Sequence, residues 1–175
     1  MDDLRELLEL LRSHNVHFLV IGAHALAFNG YPRATKDIDP WVRKDNQNAE
    51  RLARALKEFG ADIGASGAVK FATSDRQMIR LGVPPHMVDV LNFAGATEFE
   101  EVWEGSVEGE LLGIRVHYPS KTALIEMKRA AGRNTCSISR SLSRSKKELD
   151  LLRLLHAQKG RSPSSDRSCL AFLIA

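Results

Sequence analysis

Cysteine is scarce in this chain, with two residues among 175, Cys136 and Cys169, both in the C-terminal quarter. Neither belongs to a Cys-x-x-Cys pair, and no histidine stands beside them at the spacing of metal ligands. The six histidines form no His-Glu-x-x-His motif either. We therefore expect free thiols and structural or solvent-exposed histidines, which argues against a disulfide scaffold and a histidine-bound zinc centre.

Long apolar runs are also missing. No segment approaches the roughly 18 consecutive apolar residues that a membrane-spanning helix needs. The opening segment, residues 1–11, is acidic and amphipathic and lacks the charged-then-apolar pattern of a signal peptide. We expect a soluble protein that stays in the cytoplasm and has no membrane partner.

Charge of one sign is only slightly in excess, because the formal net charge is +3. Solubility alone explains an imbalance of this size, so it does not establish a polyanionic partner. The cations are unevenly placed, since residues 133–147 contain five of them and no acid. This segment could give one end of the molecule a positive surface.

Hydrophobic periodicity predicts helices and strands from residue 4 to residue 131. The predicted helices cover residues 4–13, 23–28, 46–59, 99–103 and 121–131, with Asp45 or Asn46 capping the third and Ser120 the fifth. The predicted strands cover residues 18–21, 37–42, 69–73, 77–81 and 87–91, and a hairpin covers 109–118. Pro40 favours a sheet edge or a strand end, and the apolar strand 87–91 a central position. The pattern indicates an α+β fold, a mixed β-sheet flanked by helices with a C-terminal helical extension.

A change of composition after Gly132 divides the chain. The length of 175 residues and the 43% hydrophobic content support one ordinary domain, which we place at residues 1–132. Residues 133–146 alternate serine with arginine and are interpreted as a basic linker or loop. A last amphipathic helix is predicted over residues 147–159, and the tail 160–175 has no assignment.

Acidic side chains on two predicted strands form the first candidate site. Asp37 and Asp39 are two residues apart on one strand, so their side chains leave the same face with Cα atoms about 6.6 Å apart. Asp89 supplies a third carboxylate from an apolar strand, where an unpaired charge costs several kcal/mol. Carboxylates at this spacing can bracket two magnesium ions roughly 3.5–4 Å apart. An isolated Asp-x-Asp, however, is more often a solvated strand end than a metal site.

A glycine turn stands upstream of these acids. Gly22 ends a predicted strand and opens a helix, whose first N–H groups form a natural seat for phosphate. By itself this arrangement is usually only a tight turn. Combined with the acids some fifteen residues later, it favours a site for phosphate and metal.

Five stretches of the chain carry a resemblance to a known superfamily. They are Val20-Ile-Gly-Ala-His-Ala-Leu26, Gly30, Arg33-Ala-Thr-Lys-Asp-Ile-Asp39, Val88-Asp-Val-Leu91 and Pro119-Ser-Lys-Thr-Ala-Leu-Ile-Glu-Met-Lys-Arg-Ala-Ala-Gly-Arg133. Together they resemble the nucleotidyltransferases of DNA polymerase beta type. More narrowly, the chain is similar to the small bacterial and archaeal members related to abortive-infection and toxin–antitoxin systems.

The resemblance implies a nucleotidyltransferase fold and a reaction. Asp37, Asp39 and Asp89 would bind two Mg²⁺ ions, and a nucleoside monophosphate would pass from a nucleoside triphosphate (NTP) to a hydroxyl of RNA or protein with release of pyrophosphate. The residues expected to contact the NTP are Gly22 and Ala23 under the phosphates, Arg33 and Lys36 as neutralising cations, and Lys121 and Lys128 facing the nucleotide. An antitoxin is an implied partner.

A second interpretation remains open, in which the fold is kept as a nucleotide- or RNA-binding module with weak turnover. Ala23 stands where the family pattern has Gly or Ser, so that phosphate contact lacks a hydroxyl. The serine- and arginine-rich segment replaces a short acidic stretch that related sequences usually have. Release of pyrophosphate distinguishes the two interpretations.

Overall fold

The computed structural model describes residues 2–32, 34–35, 37–83 and 86–130. The predicted linker, last helix and tail lie outside these residues, as do Arg33 and Lys36. The helices are α1 (Asp2–Ser13), α2 (Gly22–Phe28), α3 (Asn46–Glu58), α4 (Gly64–Thr73), α5 (Phe99–Glu104) and α6 (Lys121–Ala130). The strands are β1 (Phe18–Ile21), β2 (Asp39–Val42), β3 (Met78–Val83), β4 (His86–Leu91), β5 (Val107–Leu111) and β6 (Ile114–Tyr118). None of these helices combines the length and the apolar character needed to cross a bilayer.

The strands form one mixed sheet in the order β3-β4-β2-β1-β6-β5. The hairpins β3–β4 and β5–β6 are antiparallel, as is the pair β1–β2. Strand β1 pairs with β6, and β2 with β4, in parallel. The predicted α+β class and mixed sheet are confirmed. The apolar strand β4 is an interior strand but not a central one, because it is second from the edge, between β3 and β2.

Side chains alternate between the two faces of the sheet and build two apolar clusters. The larger cluster joins one face to α1, α3 and α4, and Leu7, Leu52 and Phe71 from these helices are each at most 1% exposed. The smaller cluster lies on the other face, where Leu19 and Trp41 contact residues of α5 and α6. Burying each large apolar side chain is worth about 1.5–3 kcal/mol, so most of the apolar stabilisation comes from the first face.

Two predicted helix caps are present. The Asp45 side chain accepts a hydrogen bond of 2.8 Å from the backbone N–H of Asn48, which selects Asp45 over Asn46 as the cap of α3. Ser120 Oγ accepts a hydrogen bond of 3.3 Å from the backbone N–H of Ala123 at the start of α6. Each cap satisfies one N–H group that a helix N-terminus leaves without an intrahelical partner.

The predicted strand at residues 69–73 is wrong, because these residues belong to α4. Buried positions at helical spacing explain the difference: Ala68, Phe71 and Ala72 all belong to α4 and are buried in the larger cluster. Gly64 and Gly67 also belong to this helix, and Gly64 is its first residue. Burial of one apolar helical face outweighs the weak helix propensity of glycine, which costs about 1 kcal/mol per residue.

Strand β2 differs from its prediction at both its start and its position. It begins at Asp39 instead of Asp37, and it lies inside the sheet between β4 and β1. Ile38 donates its backbone N–H to the Met87 carbonyl at 3.1 Å, so position 40, two residues on, also faces β4. Pro40 has no N–H to give there. Of the two alternatives for Pro40, the sheet edge is excluded and the strand end holds, because Pro40 is the second residue of β2.

Candidate active site

The turn from β1 into α2 is shaped by Gly22. Its φ is +69°, a left-handed conformation that L side chains rarely adopt. A Cβ at this position would also collide with Asp39 Oδ2. Residue 22 is therefore restricted to glycine for two separate reasons, and the absence of a side chain is what lets the Asp39 carboxylate lie against the turn.

Register brings Asp39 and Asp89 side by side. Strands β2 and β4 are parallel, with Ile38 opposite Val88 and Trp41 opposite Leu91, so position 39 is level with position 89. The same parity puts both carboxylates on the face of the smaller apolar cluster, on strands about 4.8 Å apart. The predicted convergence of these two acids from distant stretches of chain is present in the fold.

Asp37 occupies a different position from its two predicted companions. It is exposed and precedes β2, and its backbone N–H donates to Thr35 Oγ1 at 3.1 Å. The His24 ring hydrogen-bonds to the Asp37 backbone, which ties α2 to this loop. Asp37 does not line the cavity described below.

Arg80 is the residue that the sequence interpretation missed. It lies on β3 directly opposite Asp89, and its Nε and Nη2 donate to Asp89 Oδ1 and Oδ2 at 2.7 and 2.9 Å. These hydrogen bonds and the charge of Asp89 raise the Arg80 pKa above its ordinary value, with a smaller contribution from Asp37. A signal was available, since a hairpin that pairs residue 78 with residue 91 sets Arg80 against Asp89.

A cavity of about 460 Å³ opens beside these side chains. Its polar border consists of Asp39, Asp89, Arg80 and Lys128, and Gly22 and Gly95 contribute backbone. The rest of its lining is apolar and consists of Ile21, Met78, Leu91, Phe93, Ala94, Leu124 and Met127. A cavity of this size with an apolar wall and a few convergent charges is typical of a small-molecule site.

The other predicted contact residues divide around this cavity. Lys128 borders it, as expected. Lys121 points its ammonium group at the Tyr31 ring, with Nζ 5.6 Å from the ring centroid, and it is not among the lining residues. Ala23 is not among them either. The predictions for Arg33 and Lys36 concern residues outside the described part of the chain.

The donor chemistry fits a magnesium ion in part. Asp39 and Asp89 supply hard oxygen atoms from adjacent strands, and Mg²⁺ is usually held by one or two carboxylates together with substrate phosphates and water. Across the described residues, no group of three acidic, histidine or cysteine side chains is arranged to hold a metal ion. The arrangement therefore suits a cation shared with a phosphate ligand better than one enclosed by protein alone.

Histidine 24 sits in the first turn of α2 next to this site. Burial lowers its pKa below the ordinary 6.5, and the hydrogen bond to the Asp37 backbone opposes that effect. The ring is thus held mainly neutral near pH 7.

Comparison with known proteins identifies the family to which this chain belongs. The family model for aminoglycoside-2''-adenylyltransferase matches residues 3–117, well over half of the chain and the whole of β1 to β5. This chain belongs to the aminoglycoside-2''-adenylyltransferase family. The predicted membership in the nucleotidyltransferase superfamily is thereby confirmed, and the matched segment contains Gly22, Asp39 and Asp89.

Two solved structures are similar to this member of the family. One is a crystal structure of a Thermotoga maritima protein provisionally assigned as a nucleotidyltransferase, with 17% identity, a TM-score of 0.47, and coverage of 88% of this chain and 91% of that one. The other is the solution structure of the antibiotic-resistance factor ANT(2'')-Ia, with 14% identity, a TM-score of 0.47, and coverage of 91% and 97%. No curated protein matches the sequence.

Proposed function

We propose that this chain is a metal-dependent nucleotidyltransferase that moves a nucleoside monophosphate from an NTP to a hydroxyl group of RNA or protein and releases pyrophosphate. The observation that carries the proposal is the side-by-side placement of Asp39 and Asp89 at the border of one cavity. Family membership supports the reaction class.

In this proposal Asp39 and Asp89 hold the cations, and Asp37 adds a carboxylate from the preceding loop. Two bound magnesium ions would neutralise the triphosphate and increase the reactivity of the acceptor hydroxyl. Gly22 leaves room for the Asp39 carboxylate beside the turn, and we place the phosphates next to it, near the Ala23 N–H. Lys128 reaches the cavity from α6 and can balance the phosphate charge.

The apolar wall supports a nucleotide as the donor. Met78, Phe93 and Met127 line the cavity beyond the charged border, where a planar base can bury its faces. Phosphate on the charged side and base on the apolar side use the whole lining. We therefore propose that the triphosphate points towards Asp39 and Lys128 and the base towards Met78, Phe93 and Met127.

The charge of the site bears on the acceptor. The family model bears the name of enzymes that modify aminoglycosides, which carry several ammonium groups. The two acids at this cavity are matched by two cations, Arg80 and Lys128, and the chain has a net charge of +3. Because a polycation meets no excess of negative charge here, we propose an RNA or protein hydroxyl instead of an aminoglycoside.

The test is transfer of label from each α-labelled NTP, with Mg²⁺, to cell RNA, to cell protein and to a panel of aminoglycosides in separate reactions. Wild type should label RNA or protein and release pyrophosphate. Asp39→Ala should lose at least about 100-fold in rate, close to 3 kcal/mol of transition-state stabilisation. Glu50→Ala, an exposed acid on α3, should retain full activity. Label on aminoglycosides alone would contradict the proposed acceptor.

The proposed setting is a toxin–antitoxin or phage-defence system. In this setting the enzyme would slow growth by modifying RNA or protein of its own cell, and an antitoxin partner would restrain it. Induced expression of wild type should therefore arrest growth, whereas Asp39→Ala expressed to the same level should not. Equal growth of both strains would remove this setting and leave the chemistry to be judged by the labelling test.

A binding module with weak turnover is the second candidate. The pairing of Asp89 with Arg80 favours it, because both oxygens of that carboxylate accept hydrogen bonds from a guanidinium. This candidate predicts NTP binding without release of pyrophosphate. A folded wild type that binds NTP in the presence of Mg²⁺ and transfers no label to any acceptor would establish it.

A further inference from the structure

Arg80 and Asp89 form an ion pair at the border of the cavity. The two hydrogen bonds, 2.7 and 2.9 Å long, engage both carboxylate oxygens in parallel. The geometry is bidentate, which is the arrangement in which a guanidinium and a carboxylate bind each other most specifically. The Arg80 side chain is 53% exposed, against 20% for Asp89, so the guanidinium covers the carboxylate from the solvent side.

This guanidinium lies where a divalent cation would also have to bind. Asp89 is level with Asp39 on the neighbouring strand, so a cation held by both acids must use an Asp89 oxygen that now accepts from Arg80. Each carboxylate oxygen has limited acceptor capacity, and two positive groups on one carboxylate repel each other. Binding of the cation and retention of the Arg80 pair therefore oppose each other.

The Arg80 guanidinium has an alternative binding partner when it leaves Asp89. It projects from β3, an edge strand, and its half-exposed side chain lines the same cavity. A planar guanidinium binds a phosphate group in the same bidentate way as it binds a carboxylate. A cavity that receives a triphosphate thus offers Arg80 a replacement partner within the length of its side chain.

We propose that Arg80 competes with the divalent cation for Asp89 and transfers its guanidinium to the triphosphate when the cation takes the carboxylate. The inference rests on the proposed function and identifies Arg80 as the residue that couples the two ligands. Each ligand removes an obstacle to the other, so cation and nucleotide bind with positive cooperativity, and by linkage the enhancement is equal in both directions.

The experiment measures Mn²⁺ affinity by electron paramagnetic resonance with and without a non-hydrolysable NTP analogue. The proteins are wild type, Arg80→Gln, Arg80→Lys and Arg54→Gln, the last an exposed arginine on α3 that serves as the matched control. Without nucleotide, Arg80→Gln should bind Mn²⁺ about tenfold more tightly than wild type, and it should bind the analogue about tenfold more weakly. The enhancement of Mn²⁺ binding by the analogue should become about tenfold smaller, because only direct contact between phosphate and cation would still contribute to it. Arg80→Lys, which keeps the charge but not the fork, should fall between them.

The outcomes separate this inference from the proposed function. Mn²⁺ affinity in Arg80→Gln that equals that of wild type, while wild type transfers label, would overturn the role of Arg80 alone. Weaker Mn²⁺ binding in Arg80→Gln would also overturn it, because Arg80 would then be positioning Asp89 for the metal. Failure of wild type to bind Mn²⁺ under any condition would overturn both. Circular dichroism on each variant confirms that the comparison is between folded proteins.

Discussion

The two faces of the sheet are built from the same strands but differ in what they carry: one is an apolar packing surface, and the other holds the candidate site. One face packs against α1, α3 and α4 through the larger apolar cluster, whose members are almost all fully buried. The other face carries a smaller cluster, the pair Asp39 and Asp89, and a cavity of about 460 Å³. Because strand side chains alternate, each strand contributes to both. We call the face that packs on α1, α3 and α4 the closed face and the other the cavity face. Burial on the closed face can compensate for the stability that charges and a cavity cost on the cavity face.

Buried polar groups follow the same division. Asn48, behind the closed face, accepts from the His17 N–H at 2.8 Å and donates to the His17 and Arg43 carbonyls at 3.0 Å each. On the cavity face, Trp41 Nε1 is buried without a hydrogen-bond partner among the described residues. An unsatisfied buried donor costs about 1–3 kcal/mol. Among the described residues, the hydrogen-bonding groups behind the closed face are therefore better satisfied than those on the cavity face.

The largest expected effect on the free energy of unfolding comes from shortening a buried side chain on the closed face. Leu52 on α3 is 0% exposed, and Leu52→Ala should lower the free energy of unfolding by about 2–5 kcal/mol in urea denaturation. Nucleotide affinity of the folded fraction should not change. Met127→Ala on the cavity face should cost less, near 2 kcal/mol, because the removed atoms already border a cavity. Equal losses for the two variants would break the comparison between the faces.

A smaller effect on the free energy of unfolding is expected at the turn from β1 into α2. Gly22→Ala forces a left-handed conformation on an L residue and pushes its Cβ into the Asp39 carboxylate. It should lower the free energy of unfolding by about 1–3 kcal/mol and reduce label transfer far more than that loss of folded protein explains.

Gly30→Ala is the matched control for this turn. Gly30 has a φ of +91°, and a Cβ there would meet nothing within 4 Å. It therefore carries the backbone strain without the collision. Its stability should fall in urea denaturation while label transfer per folded molecule stays normal. A loss of transfer as large as that of Gly22→Ala would show that strain alone, and not contact with Asp39, disables the site.

The sequence was sufficient for the parts of the fold that depend on local pattern. The buried strands β1 and β4, the Asp45 and Ser120 caps, and the glycine turn at Gly22 all follow from spacing and residue type. The proximity of Asp39 and Asp89 was also predicted, because both belong to short strands of one sheet. The roles assigned to these residues stay predictions until the labelling test is done.

The parts that failed depend on packing between distant segments. Helix α4 forms although two glycines weaken it, since Phe71 and its helical neighbours are buried against the rest of the larger cluster. Arg80 was missed because its partner is set by cross-strand register and not by spacing along the chain. Asp37 precedes β2 and lies outside the cavity lining, at a strand boundary that propensity does not fix, and its predicted role as a metal ligand stays a prediction.

The smallest expected effect is on the dependence of stability on pH. Burial lowers the His24 pKa below its unfolded value of 6.5, and the His17 pKa is lowered by burial and by Arg43 and Arg51. The unfolded chain therefore binds more protons than the folded one as the pH falls below about 6.5. The contribution of these two neutral histidines to the free energy of unfolding is therefore fully present above about pH 6.5, and it is lost as the pH falls through each folded-state pKa.

Substituting His24 and His17 separates an effect on the site from an effect on stability alone. Urea denaturation midpoints of wild type should fall from pH 7 to pH 5, and His24→Gln and His17→Gln should each flatten that fall, most in the double variant. Only His24→Gln should also reduce label transfer, because only His24 hydrogen-bonds to the loop that carries Asp37. If His17→Gln reduced transfer equally, the effect would come from the stability of the sheet, and the link from α2 to Asp37 would have no part in positioning the acid.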